Sequence, residues 1–286
     1  MPSIQPKTLQ TQLIEKLKNT YGEREASNLS HLLLDHFCSL NRMAIALDNP
    51  AEITSTQLEA LEKAIEQLLA HLPIQHIIGE VEFYGCRIKT DGRALIPRPE
   101  TEELVDWICQ ENELDAPNIL DIGTGTGCIP IALKRAIPEA KVNAVDISRE
   151  ALALAKENAQ ANHVTIDFAQ LDVLKDVIPF QQLDIIVSNP PYIPIQEKES
   201  MDSNVVDFEP NLALFVSDED PLIFYRVIAE QAIQILNLGG ILYFEIHENF
   251  GQMLVTLMEE IGFTNVTLKQ DLQGKDRMIQ AQKYYK

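Results

Sequence analysis

The chain has 286 residues, with 23 lysines and arginines against 43 aspartates and glutamates, and so a formal net charge of −20. Nucleic-acid affinity depends mainly on neutralisation of phosphates by basic side chains, so this balance disfavours direct binding to DNA or RNA. The four cysteines lack the spacing of a zinc site or a disulfide framework, and with no leader pattern and no membrane-length apolar run we expect a cytoplasmic protein.

Residues 1–74 are predicted to form a small helical domain. Their apolar residues recur three or four positions apart in three stripes, which is typical of helices that share a buried face. The stripes consist of Leu9, Leu13 and Leu17, of Leu29, Leu32, Leu33 and Phe37, and of Leu58, Leu61, Ile65, Leu68, Leu69 and Leu72. For the third helix, residues 56–59 fit a capping box at its start, and Pro73 marks its end.

Residues 75–99 are predicted to link this domain to a larger one at residues 100–286. Within the linker, residues 81–89 are expected to form a β-hairpin that turns at residues 84–85. A proline-rich stretch at residues 95–102, Leu-Ile-Pro-Arg-Pro-Glu-Thr-Glu, then leads into the larger domain.

A glycine-rich turn is the first motif of the larger domain that indicates a ligand. Residues 118–121 read as a buried strand and residues 128–136 as a helix, with glycines at alternate positions between them. Such glycines let the chain turn tightly and let a ligand approach its backbone. The spacing is G-x-G-x-G, whereas a turn that holds a pyrophosphate on a helix N-terminus needs G-x-G-x-x-G. A nucleotide-like ligand without that pyrophosphate is therefore favoured.

The acid before the turn indicates the charge of this ligand. Asp121 ends the predicted strand, and a carboxylate there suits a cation better than a pyrophosphate. S-adenosylmethionine carries both a sulfonium and an ammonium group, so it fits these features. We expect this cofactor to be bound by Asp121, Gly123, Thr124, Gly125, Thr126 and Gly127.

Two further strands lead to acids that suit the nucleoside part of the same cofactor. The second predicted strand ends at Asp146, where an acid can accept hydrogen bonds from both ribose hydroxyls. The alternatives for Asp146 are a solvated strand end or a cap for the helix that begins near Ser148. After the third strand come Asp172 and Val173, and the acid is predicted to accept the adenine amino group.

The motif Asn189-Pro190-Pro191-Tyr192 follows a fourth predicted strand at residues 183–188, at the edge where open α/β sheets bind ligands. Amide and aromatic amine nitrogens are poor nucleophiles because their lone pair is delocalised. The Asn189 side-chain oxygen is predicted to accept one N–H of such a group, and a carbonyl of the two prolines is predicted to accept the other. Proline fixes φ and restricts the preceding residue, so these acceptors are held in place.

This arrangement predicts methyl transfer to a planar nitrogen. Accepting both protons favours a pyramidal nitrogen, which stabilises the transition state more than the ground state. Tyr192 is expected to stack on the flat face of the substrate group. The candidate catalytic residues are therefore Asn189, Pro190 and Tyr192; Pro191 joins them in binding the substrate, and Asn189 also adjoins the cofactor. The alternative is a proline-rich turn without chemistry.

The remaining pattern completes an α/β fold. Strands are predicted at residues 118–121, 141–146, 165–169, 183–188, 241–245, 265–269 and 278–282. Strands that alternate with helices are typical of a doubly wound sheet. The expected fold class is α/β, a Rossmann-like S-adenosylmethionine-dependent methyltransferase sheet with a small N-terminal helical domain and a linking β-hairpin.

Several motifs beyond the tetrapeptide carry a resemblance to a known family over nearly the whole chain. They lie at residues 75–79, 82–85, 95–102, 208–210, 213–214, 224–226 and 271–277. On these motifs the sequence resembles the PrmC/HemK group, the methyltransferases that modify the glutamine of peptide chain release factors. Residues 97–102 are characteristic of this family, whereas Asn-Pro-Pro-Tyr is shared with methyltransferases of the adenine exocyclic amine.

The resemblance implies transfer of a methyl group from S-adenosylmethionine to the glutamine amide nitrogen of a Gly-Gly-Gln loop, a protein methylation that serves translation termination. It also implies that the helical domain helps to hold the protein substrate and that the last strand is antiparallel. Arg98, Glu100 and Thr101 are expected to close over the methionine end of the cofactor or to support the active loop. We expect a monomer whose partners are release factors.

The chain departs from the family pattern at three places, and three alternative functions stay open. Similar sequences usually have an aromatic residue near Val173, a glycine-rich turn at residues 215–218, and a glycine at the position of His247. The alternatives are an adenine methyltransferase acting on nucleic acid, a glutamine methyltransferase acting on a ribosomal protein, and a cofactor-binding module without catalysis.

Overall fold

The computed structural model describes residues 3–201 and 203–284. The chain divides into two compact units, Met1–Gly79 and Glu80–Lys286. The boundary falls inside the predicted linker, and the hairpin belongs to the second unit. Across the described residues, no helix is both long and apolar enough to span a membrane.

The first unit is mainly helical, as its apolar stripes predicted. Its helices are α1 (Pro6–Cys38), α2 (Arg42–Leu47), α3 (Ser55–Leu69) and α4 (Ile74–Ile78), and its strands β1 (Ser3–Ile4) and β2 (Ala51–Glu52) pair antiparallel. The first two stripes lie on α1, which is kinked at Gly22, where φ is 77° and ψ is 163°. Most stripe residues belong to one core, but Leu32 and Leu69 are 47% and 43% exposed.

Helix α3 begins earlier than its predicted cap. Thr54 is the N-cap: its hydroxyl oxygen accepts a hydrogen bond from the Gln57 N–H at 3.2 Å, and its own N–H donates to the Gln57 side chain at 3.0 Å. The prediction at Thr56 was wrong because both threonines fit the capping-box pattern. Ile53, which is 1% exposed, precedes the cap and shares a core with Leu58, and this apolar staple fixes the start of the helix.

The second unit is an α/β domain, which confirms the predicted fold class. Its strands are β3 (Glu80–Phe83), β4 (Cys86–Lys89), β5 (Asn118–Ile122), β6 (Lys141–Asp146), β7 (Asp167–Gln170), β8 (Leu183–Ser188), β9 (Ile193–Pro194), β10 (Phe215–Val216), β11 (Leu236–Glu245), β12 (Thr264–Gln270) and β13 (Asp276–Gln282). Its helices are α5 (Pro99–Glu111), α6 (Cys128–Ala136), α7 (Arg149–Ala161), α8 (Ser203–Phe208), α9 (Asn211–Leu214), α10 (Ile223–Ile235) and α11 (Gly251–Ile261), with a 3-10 helix at Ile195–Ser200.

The predicted hairpin is confirmed in β3 and β4, which pair antiparallel. Its turn residues are Tyr84 and Gly85, and both have positive φ, 46° and 72° respectively. Two successive residues of positive φ are what a tight two-residue hairpin turn requires, because its twist then matches that of the strands.

A seven-stranded sheet forms the centre of the second unit, in the order β12-β13-β11-β8-β5-β6-β7. Strand β13 pairs antiparallel with both β11 and β12, as the resemblance implied. The pairs β11 with β8, β8 with β5, β5 with β6, and β6 with β7 are parallel. The predicted bounds of β6 and β8 match the structure. Strand β11 begins at Leu236 rather than at Ile241, and its register shifts between these two residues.

Successive residues of the central strands are buried on opposite faces of the sheet. On β5, Ile119 belongs to one hydrophobic core and Leu120 to the other, and on β8, Ile185 and Ile186 alternate in the same way. None of the four is more than 4% exposed. Their nearly continuous apolar sequence is therefore what a parallel strand covered by helices on both faces needs.

The strand order creates a crevice at the carboxyl end of β5. From β5 the chain adds β6 and β7 on one side, and it then crosses to add β8 on the other. Open α/β sheets bind ligands at such a reversal of strand order, outside the carboxyl ends of the strands. The loops that follow β5, β6, β7 and β8 carry the predicted site residues, so the fold brings these loops to one edge.

Candidate active site

A cavity of about 340 Å³ lies at this edge of the second unit. Eight of the predicted site residues line it: Gly123, Gly125, Asp146, Asp172, Val173, Asn189, Pro190 and Pro191. The other predicted residues are outside this lining: Asp121, Thr124, Thr126 and Gly127, which are buried, and Tyr192, which is half-buried. The loops therefore meet at one cavity, and five of the predicted residues do not line it.

The glycine turn is tied to the end of β6. Its three glycines all have positive φ, between 54° and 80°. The N–H groups of Gly123 and Thr124 donate to the Val145 carbonyl at 2.9 and 3.0 Å, and the Gly125 N–H donates to Asp146 Oδ2 at 2.8 Å. Because residues with a side chain rarely adopt this backbone conformation, the turn needs glycine.

Gly127 has a packing role in addition to its turn geometry. It is the N-cap of α6, and a Cβ at this position would lie 3.0 Å from the Ala155 Cβ on α7. A contact of this length is tighter than nine in ten real Cβ contacts, so Ala155 would have to move by a few tenths of an ångström. Gly127 therefore allows α6 and α7 to approach closely. From the sequence alone, Gly127 was assigned only to cofactor binding.

Asp121 is fully buried at the end of β5, and neither of its carboxylate oxygens has a hydrogen-bond partner among the described residues. The hydroxyls of Thr124 and Thr126 are buried without one in the same part of the chain. Burial raises the pKa of Asp121 to about 7; the nearby Thr124 hydroxyl opposes the rise, and the charge of Asp146 adds to it. A buried carboxylate without partners is costly, and a cationic ligand group beside it would offset that cost. The residue thus fits the predicted cation site.

Asp146 connects the glycine turn to the start of α7. Its Oδ2 accepts the Gly125 N–H, and its Oδ1 accepts the Ser148 N–H at 2.9 Å. The cap of α7 is Ser148, whose hydroxyl oxygen accepts the Ala151 N–H at 3.1 Å, so the alternative role of Asp146 as that cap is excluded. Burial raises the pKa of Asp146, and the backbone hydrogen bonds oppose the rise. Each oxygen keeps a lone pair for a further donor.

The Asp172 carboxylate already contacts groups of its own turn. Its Oδ1 accepts the Leu174 N–H at 3.1 Å, and its Oδ2 pairs with the Lys175 ammonium at 2.7 Å. Its neighbour Val173 is 8% exposed, and both residues line the cavity. The adenine role of Asp172 stays a prediction, and the adenine amino group would share oxygens that already accept hydrogen bonds.

Asn189 belongs to a hydrogen-bond network that sequence reasoning did not foresee. Its Nδ2 donates to Thr101 Oγ1 at 3.4 Å, and the Thr101 hydroxyl donates to Glu245 Oε2 at 2.6 Å. The Tyr192 hydroxyl donates to Oε1 of the same carboxylate at 3.2 Å. Thr101 and Glu245 are 3% and 1% exposed, and burial raises the pKa of Glu245. We call this set of four residues the Glu245 network.

Glu245 is the site residue that sequence reasoning missed. It ends β11 as Asp146 ends β6, and the only available signal was an acid at the end of an apolar strand. Thr101 was expected either to cover the cofactor or to support the active loop, and its contact with Asn189 matches the second of these.

Tyr192 also packs against His247, one of the three departures from the family pattern. The two rings meet edge to face with centroids 6.0 Å apart, and the His247 ring lies 4.8 Å from that of Phe250. His247 Nε2 is 3.3 Å from a Glu197 carboxylate oxygen. Burial raises the pKa of Tyr192, and the Glu245 charge adds to this, so the phenol stays a hydrogen-bond donor.

Arg98 joins two of the motifs that carried the resemblance. Its guanidinium pairs with Glu209 at 2.5 Å, and the Ile96 N–H donates to the other oxygen of Glu209 at 3.0 Å. Glu209 is 4% exposed, and the next residue, Pro210, lines the cavity. These two contacts with Glu209 hold the proline-rich loop against the segment that forms one wall of the cavity.

The described residues show neither a metal site nor a disulfide. No group of three or more histidine, cysteine, aspartate and glutamate side chains among them is arranged to hold a metal ion. Each of the four cysteines is a free thiol, and Cys38, Cys86 and Cys128 are buried.

Comparison with known proteins gives matches over both units. The family described as "PrmC N-terminal domain" matches residues 8–79, and "Methyltransferase small domain" matches residues 101–207. Proteins named release factor glutamine methyltransferase are similar along most of their length. One from Flavobacterium psychrophilum is 44% identical over 96% of this chain and 98% of its own, and one from Bacteroides thetaiotaomicron is 43% identical over 93% and 96%.

Solved structures of methyltransferases share the fold at low sequence identity. A methyltransferase from Pyrococcus furiosus has a TM-score of 0.55 and 15% identity, and the match covers 81% of this chain and 100% of that one. A ribosomal protein L11 methylase from Lactobacillus delbrueckii subsp. bulgaricus has a TM-score of 0.50 and 22% identity, and the match covers 69% of this chain and 84% of that one. At these identities the likeness concerns the fold, and it agrees with the Rossmann-like sheet.

Proposed function

The chain belongs to the release factor glutamine methyltransferase family, and we propose that it transfers a methyl group from S-adenosylmethionine to the glutamine side-chain amide nitrogen in the Gly-Gly-Gln motif of peptide chain release factors. The observation that carries this proposal is one cavity lined by both the glycine turn and Asn189. Transfer of a methyl from a cation to an amide requires such a pairing of a cation-binding turn with a proton-accepting amide.

Binding of the cofactor is assigned to the predicted residues at the carboxyl ends of β5 to β8. S-adenosylmethionine supplies an electrophilic methyl on a sulfonium. The buried Asp121 carboxylate, without a hydrogen-bond partner among the described residues, supports a cationic ligand, and the lone pairs of Asp146 support a ribose. The proposed set is Asp121, Gly123, Thr124, Gly125, Thr126, Gly127, Asp146, Asp172, Val173 and Asn189.

The acceptor glutamine is assigned to the tetrapeptide. The Asn189 side-chain oxygen accepts one N–H of the glutamine amide and the Pro190 carbonyl accepts the other, which stabilises the nitrogen as it becomes pyramidal. Pro191 lines the same cavity, and Tyr192 stacks on the flat face of the amide. The hydrogen bond from the Tyr192 hydroxyl to Glu245 supports this role, because it limits rotation of the ring.

The reaction needs no strong base in this scheme. The amide proton becomes acidic only as the nitrogen gains the methyl group, so proton loss follows transfer. The chain contributes mainly by orienting the two reactants and excluding water, and for well-oriented reactants this is worth about 7–11 kcal/mol of the barrier.

We assign recognition of the protein substrate to the helical unit, residues 1–79, because this unit contains the match to the PrmC N-terminal domain. The net charge of −20 favours a protein acceptor over a nucleic acid. The proposed partner is an intact release factor, met in the cytoplasm by a monomeric enzyme.

A comparison of acceptors tests the proposal. The purified chain is incubated with S-adenosylmethionine carrying a labelled methyl and with one acceptor at a time: intact release factor, the same factor with alanine at the motif glutamine, a mixture of ribosomal proteins, DNA, and RNA. We expect label in the intact release factor and none in its alanine variant. Label in nucleic acid, or in a ribosomal protein but not in the release factor, would contradict the proposal.

A further inference from the structure

The buried Glu245 carboxylate is linked by hydrogen bonds to two residues that are proposed to bind the acceptor glutamine, directly to Tyr192 and through Thr101 to Asn189. Glu245 accepts the Thr101 hydroxyl on Oε2 and the Tyr192 hydroxyl on Oε1, and Thr101 in turn accepts the Asn189 amide. These residues come from α5, from the loop after β8 and from the end of β11. Three separate elements therefore meet at a side chain that is 1% exposed.

We propose that Glu245 is a positioning residue: acting through Thr101, it fixes the Asn189 side chain with its oxygen, rather than its nitrogen, available to the acceptor amide. This deepens the function proposed above and depends on it. Glu245 itself does not line the cavity, whereas Asn189 does.

The hydroxyl proton of Thr101 decides which end of the Asn189 amide can meet it. An asparagine amide is nearly symmetric in shape, so its hydrogen-bond partners decide which end points where. An ionised carboxylate only accepts, so the Thr101 proton is committed to Glu245 over 2.6 Å. The Thr101 oxygen can then only accept, and the end of Asn189 that meets it must be the NH₂ group. The amide oxygen is left for a donor from the substrate.

If Glu245 is protonated, the hydrogen bonds no longer fix the orientation of the Asn189 amide. A neutral carboxyl can donate to Thr101, and the Thr101 hydroxyl can then donate to the oxygen of Asn189. The amide would turn by half a rotation and present N–H groups where the acceptor amide needs a lone pair. The productive orientation thus requires Glu245 to be ionised.

The surroundings of Glu245 contain groups of both signs. Five titratable or charged groups face it from the elements packed around it: Glu100 on α5, Cys128 on α6, Tyr192 after β8, Tyr225 on α10 and Arg277 on β13. Burial is the largest influence and raises the pKa of Glu245, while the hydrogen bonds from Thr101 and Tyr192 and the charge of Arg277 oppose the rise. Methyl transfer should therefore fall as the pH falls through a carboxyl pKa above the ordinary range for glutamate.

Two substitutions at Thr101 separate positioning from packing. Thr101→Val keeps the volume and removes the hydroxyl, whereas Thr101→Ser keeps the hydroxyl and removes a methyl. We expect Thr101→Val to lower kcat for release factor by about 10- to 100-fold, as for a misplaced reactive group, and Thr101→Ser to stay within about 3-fold of the unmodified chain. The dissociation constant of S-adenosylmethionine should change by less than about 2-fold in both.

Tyr225→Phe is the matched control. It also removes a buried hydroxyl in contact with Glu245, but that hydroxyl donates to the backbone carbonyl at 3.3 Å rather than to the carboxylate. We expect kcat to stay within about 3-fold of the unmodified chain, because the network is left complete. A loss as large as that of Thr101→Val would show that general loosening around Glu245, not orientation of Asn189, limits the rate.

A second measurement is independent of turnover. The side-chain amide of Asn189 in the full chain is followed by ¹⁵N NMR during a pH titration, with Glu245→Gln as the comparison. We expect the Asn189 signals to shift through an acidic step that Glu245→Gln abolishes. Signals that titrate alike in both proteins would overturn the proposal even if Thr101→Val failed to fold.

The outcomes distinguish this inference from the proposed function. An unmodified chain that does not methylate release factor contradicts the proposed function itself. An active chain in which Thr101→Val retains the kcat of Thr101→Ser overturns the positioning role alone. A low kcat in Thr101→Val, rescued in Thr101→Ser and absent from Tyr225→Phe, supports it.

Discussion

Burial of the Asp121 carboxylate costs free energy, and a cationic ligand beside it would offset that cost. Its pKa rises from 3.8 to about 7, so the folded chain binds this proton more tightly than the unfolded chain does. The contribution of Asp121 to folding is therefore most favourable below pH 3.8 and is lost as the pH rises toward 7. A residue that weakens the ligand-free protein at neutral pH is common where function requires it.

Asp121→Asn should separate stability from binding. The asparagine stays neutral, so we expect the ligand-free variant to melt several degrees above the unmodified chain at pH 8 and close to it at pH 4. The same change should weaken S-adenosylmethionine binding by about 10-fold or more, because a charge-assisted contact is lost. Thermal unfolding at the two pH values and calorimetry at pH 8 measure both effects. A lower melting temperature at pH 8, or an unchanged affinity, would contradict this account.

Asp146→Ala should weaken S-adenosylmethionine binding by about 1.5–3 kcal/mol, the range for hydrogen bonds to a charged group. The loss includes the Gly125 contact, which holds the glycine turn against β6. Ser148→Ala is the control, since it removes the cap of α7 and should cost about 1 kcal/mol of stability with a smaller change in affinity than Asp146→Ala. Calorimetry and chemical unfolding of both variants decide whether Asp146 binds the cofactor or is only an acid at the end of a strand.

The close approach of α6 to α7 depends on Gly127. Gly127→Ala should destabilise the protein by about 1–2 kcal/mol for its positive φ and by about 1–3 kcal/mol more for the contact with Ala155. Gly239→Ala is the matched control, because its φ is 82° but nothing lies within 4 Å of the added Cβ. Urea unfolding of the two variants gives both values. Equal losses would show that α6 and α7 are not in close contact at Gly127.

The sequence predicted the bounds of those helices and strands whose ends are marked by particular residues nearby. The bounds of α6, β6 and β8 match the predictions because apolar runs there are bounded by glycine, by an acid or by proline. The start of β11 was missed because Gly239 and Gly240 read as a break, whereas the strand continues across them with a shift of register.

The part of the site that consists of short sequence motifs was also predictable. Asn189 and the glycine turn are short motifs, and strand order alone brings them to one edge of the sheet. The Glu245 network was not predictable, because Thr101 and Glu245 are 144 residues apart and no local pattern records their contact. A positioning contact between distant elements becomes visible only in the folded chain.

The two units are assigned different tasks, and a fragment of residues 80–286 tests this division. Because the predicted cofactor residues all belong to the second unit, the fragment should bind S-adenosylmethionine with nearly the affinity of the full chain. It should methylate intact release factor at least about 10-fold more slowly, since the acceptor is no longer positioned, and a short Gly-Gly-Gln peptide within about 3-fold of the full chain. Circular dichroism must first show that the fragment is folded. Equal rates on intact release factor would remove the helical unit from substrate recognition.

The proposed function requires that the cavity direct a methyl group to one amide nitrogen. Intact release factor is incubated with the unmodified chain or with Asn189→Ala, and fragmentation mass spectrometry of the Gly-Gly-Gln peptide locates the methyl group. Calorimetry on the same preparations shows whether Asn189→Ala retains its affinity for S-adenosylmethionine. We predict one methyl group on the glutamine side-chain nitrogen with the unmodified chain, and a rate at least about 100-fold lower with Asn189→Ala, which should keep most of its affinity for S-adenosylmethionine. A methyl group on another residue, or turnover by Asn189→Ala within a few-fold of the unmodified chain, would contradict the account.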